Sequence, residues 1–368
     1  MLRSKINFDA HVAVRALWTA LVSLLCLTGC RGIGPGTIAR DRFDYTLAIS
    51  DSWKRQTLLN LVKIRYADAP VFLEVSSVIS QYLLETELQG SLAWNAFLPL
   101  GSQNITGRGR YADRPTITYL PLTGEKFTRS VLTPLPPSAI LSLIQSRWRA
   151  DLAFRVCVQS INGIDNHSGG RLAERPADPD FYRLINLLVK IQESSDVGVR
   201  IATTPDKKQA AVMFFRTKGV DSETADRIEQ VRKLLGLNPE QQEFPVVYGA
   251  LAKDDMEIAI LSRSMMDILF ELASYIEVPA AHLAENRTFA TITEDTVAGI
   301  EITPLIRIQS GTEVPSYAFV AVRYRDHWYW IDDRELSSKR LFSFLMFLFS
   351  LAETGAPVQA PVLTIPAG

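Results

Sequence analysis

Residues 317–331, YAFVAVRYRDHWYWI, decide the architecture of the C-terminal half of this chain. They are rich in Val, Tyr, Phe and Trp, which are the residue types that favour strands. Two strands are predicted, 317–324 and 328–331, with a tight turn at Arg325-Asp326-His327 between them. Because successive side chains of a strand point to opposite faces, Trp328 and Trp330 are predicted to lie on one face of the sheet and Tyr329 on the other.

The segment that follows predicts a buried helix. Asp332 or Asp333 can cap it, its first turn is expected near Glu335, and residues 341–349 read LFSFLMFLF. This run is apolar around nearly its whole circumference and too short to cross a bilayer. We therefore expect a central core helix in which Phe344, Phe347 and Leu348 pack together against the sheet. The alternative is a docking surface for a partner.

Upstream of the hairpin, the order helix, strand, strand occurs twice. The predicted elements are a helix at 180–194, strands at 197–203 and 210–216, a helix at 222–235, strands at 244–250 and 256–262, and a helix at 265–276. This order predicts an α+β fold in which helices pack on a mainly antiparallel sheet. Residues 162–179 hold three glycines and two prolines and indicate a loop or a boundary between an N-terminal region, 43–161, and a C-terminal region, 180–368.

The N-terminal region opens with an amphipathic helix, predicted from Asp44 to Tyr66. Two extended pieces, 71–94 and 104–122, are candidates for a hairpin with a long connection, and 151–161 reads as a further strand that contains Cys157. Helical candidates at 125–132 and 138–148 lie between them.

The N-terminus has the layout of a secretory signal. Three basic residues, Arg3, Lys5 and Arg15, come before an apolar run from Ala16 to Leu27 that is too short to span a bilayer. The run ends at Leu27-Thr28-Gly29-Cys30, which resembles the lipobox of bacterial lipoprotein precursors. The resemblance implies a signal peptide of residues 1–29, cleavage between Gly29 and Cys30, and lipid attached to Cys30.

The same resemblance implies a location. Two or three acyl chains on one residue give stable anchoring to a membrane. In enteric bacteria an aspartate after the lipidated cysteine favours the inner membrane, so Arg31 implies transport to the outer membrane and a domain that faces the periplasm. Residues 30–42 contain Gly32, Gly34, Pro35 and Gly36 and are expected to form a flexible tether.

Composition limits the possible functions. Hydrophobic residues make up 47% of the chain, which is enough for a sizeable core. Removal of the signal would leave 36 basic and 39 acidic residues, and this balance argues against nucleic acid as a partner. Loss of Cys26 and acylation of Cys30 would leave Cys157 as the one thiol, which we expect to be buried and inert.

Motifs for catalysis, metals and cofactors are missing from the sequence. It has no nucleophile elbow, no Ser-x-x-Lys pair, no zinc-protease motif and no phosphate-binding glycine loop. His167, His282 and His327 are far apart in sequence, so we expect no metal and no cofactor. The loop that contains His167 and Ser168 offers a base beside a hydroxyl, but neighbours in a loop seldom form such a pair.

A weaker candidate site lies at the C-terminal hairpin. Asp332, Asp333 and Glu335 follow Trp328 and Trp330, and such a set could supply paired carboxylates under a platform for sugar stacking. Helix capping explains the acids more simply, and core packing explains the tryptophans. If the tryptophan face is exposed, it is a recognition surface.

Beyond the lipobox, much of the remaining chain resembles a group of proteobacterial envelope lipoproteins. The resemblance rests on residues 58–62, LLNLV, on residues 72–77, FLEVSS, and on the C-terminal hairpin and helix. It implies no mechanism. The sequence favours a non-enzymatic interaction or assembly component of the cell envelope, with an envelope protein as partner. The alternatives are an enzyme that acts on wall glycan or peptide through the three carboxylates, and a carrier of an apolar ligand.

Overall fold

The computed structural model has an α+β fold. It describes residues 33–79, 82–92, 103–113, 116–169, 176–194, 197–203, 209–216, 219–292, 295–297 and 300–352. The predicted signal peptide, the cleavage position at Gly29 and Cys30, and the C-terminal residues 353–368 lie outside these ranges. None of the described helices is both long enough and apolar enough to span a membrane.

The chain forms two compact units. The first comprises residues 1–50 and 75–119, and the second comprises residues 51–74 and 120–368. The segment 162–179, where the sequence suggested a boundary, therefore lies within the second unit.

The first unit contains the beginning of a long helix and most of a two-stranded ribbon. Helix α1 is Ile33–Arg65, and the ribbon strands are β1 (Leu73–Ile79), β2 (Tyr82–Leu92), β3 (Gln103–Asp113) and β4 (Thr116–Pro121). β1 pairs with β4, and β2 pairs with β3. This pairing confirms the predicted hairpin with a long connection.

The glycines predicted a flexible spacer as far as residue 42, but the helix already begins at Ile33. A proline in a first helical turn is tolerated because the N–H group that it lacks would have no intrahelical partner.

The second unit is built on a six-stranded sheet. Its strands are β5 (Val158–Ile161), β6 (Ile164–Asp165), β7 (Val197–Thr203), β8 (Gln209–Phe215), β9 (Glu243–Tyr248) and β10 (Ile258–Ser262), in the order β6-β5-β10-β9-β8-β7. All neighbours are antiparallel except β9 and β10, which are parallel. The helices of this part are α2 (Gly124–Phe127) with a π-helical turn (Thr128–Leu132), α3 (Pro137–Gln145), α4 (Ala150–Cys157), α5 (Pro179–Ser194), α6 (Ser222–Leu235), α7 (Met265–Ala273) and α8 (Ala280–Ala284).

The repeated helix, strand, strand order is confirmed. Helices α5 and α6 and the strands after them fall within two residues of most predicted bounds, because each element carries its own hydrophobic period. The capping residues agree with this: the Asp221 side chain accepts from the Thr224 N–H group at the start of α6, and Gly236 ends it with φ 64°.

The strand predicted for residues 151–161 is partly wrong. Residues 150–157 form α4, and only Val158–Ile161 is extended. Ala150, Ala153, Phe154 and Cys157 are all buried, and their spacing of three, four and seven residues is that of one helix face. The alternation of Leu152, Phe154 and Val156 imitated a strand. Asn162 and Gly163, both with positive φ, then turn the chain into β6.

Cys157 should not react in the folded protein. It is fully buried at the end of α4, and burial raises the pKa of its thiol to about 12. A membrane-impermeant maleimide is therefore expected to leave Cys157 unmodified in native protein and to modify it after denaturation, as measured by mass spectrometry. Rapid modification of the native state would contradict the burial of this residue.

The C-terminal part of the second unit contains a smaller sheet and the last described helix. A two-stranded piece, β11 (Asp295–Val297) with β12 (Ile300–Ile302), precedes a three-stranded sheet of β13 (Gln309–Gly311), β14 (Ala318–Tyr324) and β15 (His327–Asp332), in the order β13-β15-β14. Helix α9 is Leu336–Ala352. The predicted hairpin and helix are confirmed, and Arg325 and Asp326 form the turn with φ of 46° and 66°.

Helix α9 buries one face and not its whole circumference. Leu341, Phe344, Leu345 and Leu348 are buried, whereas Phe347 is 41% exposed. The prediction that Phe347 shares the buried face is therefore wrong. Its ring stacks on Trp148 at the margin of the core, with 5.8 Å between ring centroids.

Candidate functional site

The two tryptophans of the hairpin share one face of the three-stranded sheet. Trp330 pairs with Gln309 and Ala321, and Trp328 pairs with Gly311 and Arg323. Tyr329 and Ile331 point to the opposite face and are fully buried. The predicted alternation is confirmed, and it gives this strand one inner and one outer face.

The tryptophan face is partly covered. Trp328 and Trp330 are both half-buried. A Cβ atom placed on Gly311 would lie 3.1 Å from the Trp330 ring, so the indole rests against the backbone of β13. The Trp330 indole nitrogen is buried and has no hydrogen-bond partner within the described ranges. A recognition role for this face stays a prediction.

The three candidate carboxylates each bind a different cation. The Asp332 carboxylate accepts from the Arg334 guanidinium at 2.7 and 3.0 Å, and these hydrogen bonds lower its pKa. Asp333 accepts from Lys339 at 2.7 Å, and Glu335 lies 3.7 Å from Arg307. These ion pairs hold the carboxylates in place around the start of α9. An acid–base role for the three carboxylates stays a prediction.

Tyr329 belongs to a buried hydrogen-bond chain. Its hydroxyl lies 2.6 Å from the Tyr66 hydroxyl, which lies 2.6 Å from Nδ1 of His282. Burial raises the pKa of Tyr66 and of Tyr329, and burial followed by the nearby His327 lowers the pKa of His282. All three groups are therefore neutral at neutral pH, and the chain ties α1, α8 and β15 together.

A charged residue, Arg65, lies next to this hydrogen-bond chain, at the end of α1. Arg65 is 1% exposed, donates to the Phe289 carbonyl at 2.9 Å and lies over the Phe289 ring at 4.0 Å. Its Nε and Nη1 atoms have no hydrogen-bond partner among the described residues. Burial lowers the pKa of Arg65 to about 10.

Among the residues that the structure describes, the most heavily buried carboxylate is Glu271 on α7, which is 3% exposed. Its Oε1 accepts from His167 Nδ1 at 2.7 Å and from the Tyr275 hydroxyl at 3.1 Å, and its Oε2 accepts from the Gly169 N–H group at 2.6 Å. Burial alone would raise the pKa of Glu271, but the His167 hydrogen bond and the Arg263 charge outweigh it, and the pKa is lowered.

Arg263 completes this cluster from the end of β10. It is 2% exposed, and its guanidinium lies 3.7 Å from Glu271. It donates to the Arg155 carbonyl at 3.0 Å and also to the His167 carbonyl. The Glu271 cluster, defined as Glu271, His167, Arg263 and Tyr275, thus fastens the loop at 166–169 to α4 and α7.

A cavity of about 210 Å³ adjoins the Glu271 cluster. It is lined in part by Gln159, Ser168, Asp267 and Phe270, together with Arg263 and Glu271. The oxygens of Glu271 and most donors of Arg263 are already engaged in hydrogen bonds within the protein. The arrangement can therefore hold a structure together, and it offers little free acid–base capacity to a substrate in the cavity.

The sequence contained a weak signal for Glu271. It follows Ile268 by three residues and precedes Leu272 and Tyr275, all of which are buried on the same face of a predicted helix. A carboxylate on such a face needs a partner. The partner, His167, lies in the loop where the sequence suggested a base beside a hydroxyl, and the structure pairs it with Glu271.

No group of three or more potential metal ligands occurs among the residues that the structure describes. Comparison of the chain with protein-family models, with curated proteins and with solved structures finds no match.

Proposed function

We propose that this chain is an outer-membrane lipoprotein that faces the periplasm and serves as a non-enzymatic interaction or assembly component of the cell envelope. The observation that carries the proposal is Leu27-Thr28-Gly29-Cys30 at the end of an apolar run that follows three basic residues. The lipid on Cys30 would hold the folded units at the membrane, and Arg31 favours the outer membrane.

The geometry of the second unit supports a binding role over the two alternatives. An enzyme acting through Asp332, Asp333 and Glu335 would need them free and facing one cleft, but each binds its own cation. A carrier would need an enclosed apolar cavity. Two larger grooves, of about 510 and 530 Å³, lie along α5 and α6 and are lined by several charged residues, including Arg183, Lys190, Arg232 and Lys233. Neither groove is therefore the apolar cavity that a carrier would need.

Lipidation of Cys30 is the first test. Cells that express the chain and are fed a radioactive fatty acid should label the wild-type protein, and Cys30→Ala should remove the label and leave an unprocessed precursor. Cys157→Ala is the matched control, because this thiol is buried and should not be acylated. Equal labelling of the wild type and Cys30→Ala would contradict the proposal, and so would recovery of the labelled protein in the inner-membrane fraction alone.

A further inference from the structure

The ribbon of the first unit has a continuous central section. β2 and β3 form eleven consecutive residue pairs, from Tyr82 opposite Asp113 to Leu92 opposite Gln103, without a bulge. At about 3.4 Å per residue, this section is roughly 35 Å long. It is twice the usual strand length, which is about five to six residues.

Both long edges of this section are open within the part of the chain that the structure describes. There, β2 pairs with β3 alone, and β3 pairs with β2 alone. Each strand therefore presents a row of backbone N–H and C=O groups that a further strand can pair with. A two-stranded hairpin is marginally stable by itself in water, and a third strand stabilises it.

The charges of the two strands are opposite. β2 contains Glu85 and Glu87 and no basic residue, whereas β3 contains Arg108 and Arg110 at its middle and Asp113 at its end. In the register, Glu85 is opposite Arg110, and Glu87 is opposite Arg108. β2, which forms one open edge, is thus acidic at its middle. β3, which forms the other open edge, is basic at the same level.

We propose that copies of this chain associate head to tail, with β2 of one copy pairing antiparallel to β3 of the next. The inference rests on the proposed assembly role and identifies a second copy of the chain as the partner. Such a contact repeats the register inside each ribbon, in which glutamate positions of β2 are opposite arginine positions of β3. Because it joins two different edges, it generates a closed ring or an open row of copies.

A two-fold pairing of identical edges fits the charges less well. Full antiparallel overlap of two β2 strands would place Glu87 of both copies opposite each other, and full overlap of two β3 strands would do the same with Arg108. Like charges directly opposite each other destabilise a sheet. The head-to-tail arrangement avoids both conflicts.

Charge exchange tests the proposal on the full chain in detergent. Glu85→Arg with Glu87→Arg should turn the wild-type oligomer into a monomer in sedimentation, because both edges are then basic. Adding Arg108→Glu and Arg110→Glu restores the pairing inside each ribbon and between identical copies, so this fourfold variant should again form oligomers. Resistance of Cys157 to maleimide verifies that the second unit of each variant is folded, and far-UV circular dichroism verifies that the ribbon has kept its strands.

Mixing gives the decisive readout. Differently tagged wild-type copies should co-purify, and so should differently tagged fourfold copies, but wild-type and fourfold copies should not co-purify with each other. In the mixed contact, glutamate would meet glutamate or arginine would meet arginine. A monomeric wild type, a folded fourfold variant that stays monomeric, or undiminished mixing of the two would each overturn the proposal.

Disulfide formation locates the contact. Gln89 is opposite Thr106 in the register, and residues opposite each other have Cα atoms close enough for a disulfide. Copies with Gln89→Cys mixed with copies with Thr106→Cys should form cross-linked dimers on oxidation. Leu83→Cys is the mismatched control, because it lies six residues along the strand and should not cross-link to Thr106→Cys. Oligomers without the matched cross-link would exclude this edge.

The result is separable from the lipoprotein proposal. Fatty-acid labelling of Cys30 in a chain that stays monomeric would refute the ribbon contact and leave the lipid anchor standing. An oligomer with the matched cross-link but without the label would do the reverse.

Discussion

Replacement of Glu271 by alanine is expected to destabilise the second unit by about 3–5 kcal/mol. The change removes a carboxylate that accepts hydrogen bonds from His167, Tyr275 and the Gly169 N–H group, and it leaves the buried Arg263 charge without its counter-charge. The loop at 166–169 also loses its attachment to α7. Thermal unfolding should show a decrease in the melting temperature on the order of 10 °C.

Two further variants make the measurement specific. Glu271→Gln keeps the size of the side chain and one acceptor oxygen but removes the charge, so it should be destabilised less than Glu271→Ala. Glu125→Ala is the exposed control. Glu125 forms an ion pair with Arg129 on the surface, and such pairs contribute about 1 kcal/mol or less. If Glu271→Ala and Glu125→Ala melt alike, the Glu271 cluster is not a stabilising element.

The pH dependence follows from the direction of the pKa shift. The pKa of Glu271 is lower in the folded chain than its ordinary value of 4.5. Its contribution to the free energy of unfolding is therefore fully present above pH 4.5 and is lost as the pH falls through the lowered value. The part of the stability difference between the wild type and Glu271→Gln that comes from the Glu271 charge should accordingly shrink below this pH.

Elements with a clear period of their own could be predicted from the sequence. The hairpin of β14 and β15 shows strand-forming residues on both sides of a turn, and the helices α5 and α6 show a helical period. The structure has these elements at nearly the predicted bounds. The strand prediction for residues 150–157 failed because this short run fits both the helical period and the strand period. Burial of Ala153 and Cys157 against neighbouring elements selects the helix. These are tertiary contacts, which a local sequence pattern does not show.

The polar clusters could not be predicted because their members are far apart along the chain. Glu271 meets His167 across 104 residues, and Tyr66 meets Tyr329 across 263 residues. Sequence patterns report the face on which a residue lies, not the loop that will cover it. The open edges of β2 and β3 could not be predicted for the same reason. The sequence predicts a hairpin, but only the topology shows that within the described residues no third strand joins it.

The second large effect is expected at Phe344, on the buried face of α9. Phe344 is fully buried, with its ring centroid 4.7 Å from that of Trp148. Phe344→Ala removes these contacts and leaves a cavity, which typically costs about 3–5 kcal/mol. This is a large part of the roughly 5–15 kcal/mol that stabilises a domain. The variant should melt far below the wild type and accumulate poorly in cells.

Phe347→Ala is the matched control, three residues further along the same helix. Phe347 also stacks on Trp148, but it is 41% exposed, so its truncation leaves no enclosed cavity. Loss of the stacking should cost about 1 kcal/mol. Chemical denaturation of the two variants measures the difference directly. Equal losses of stability would mean that α9 is buried around its whole circumference, whereas a stable Phe344→Ala variant would mean that a different face of α9 packs on the sheet.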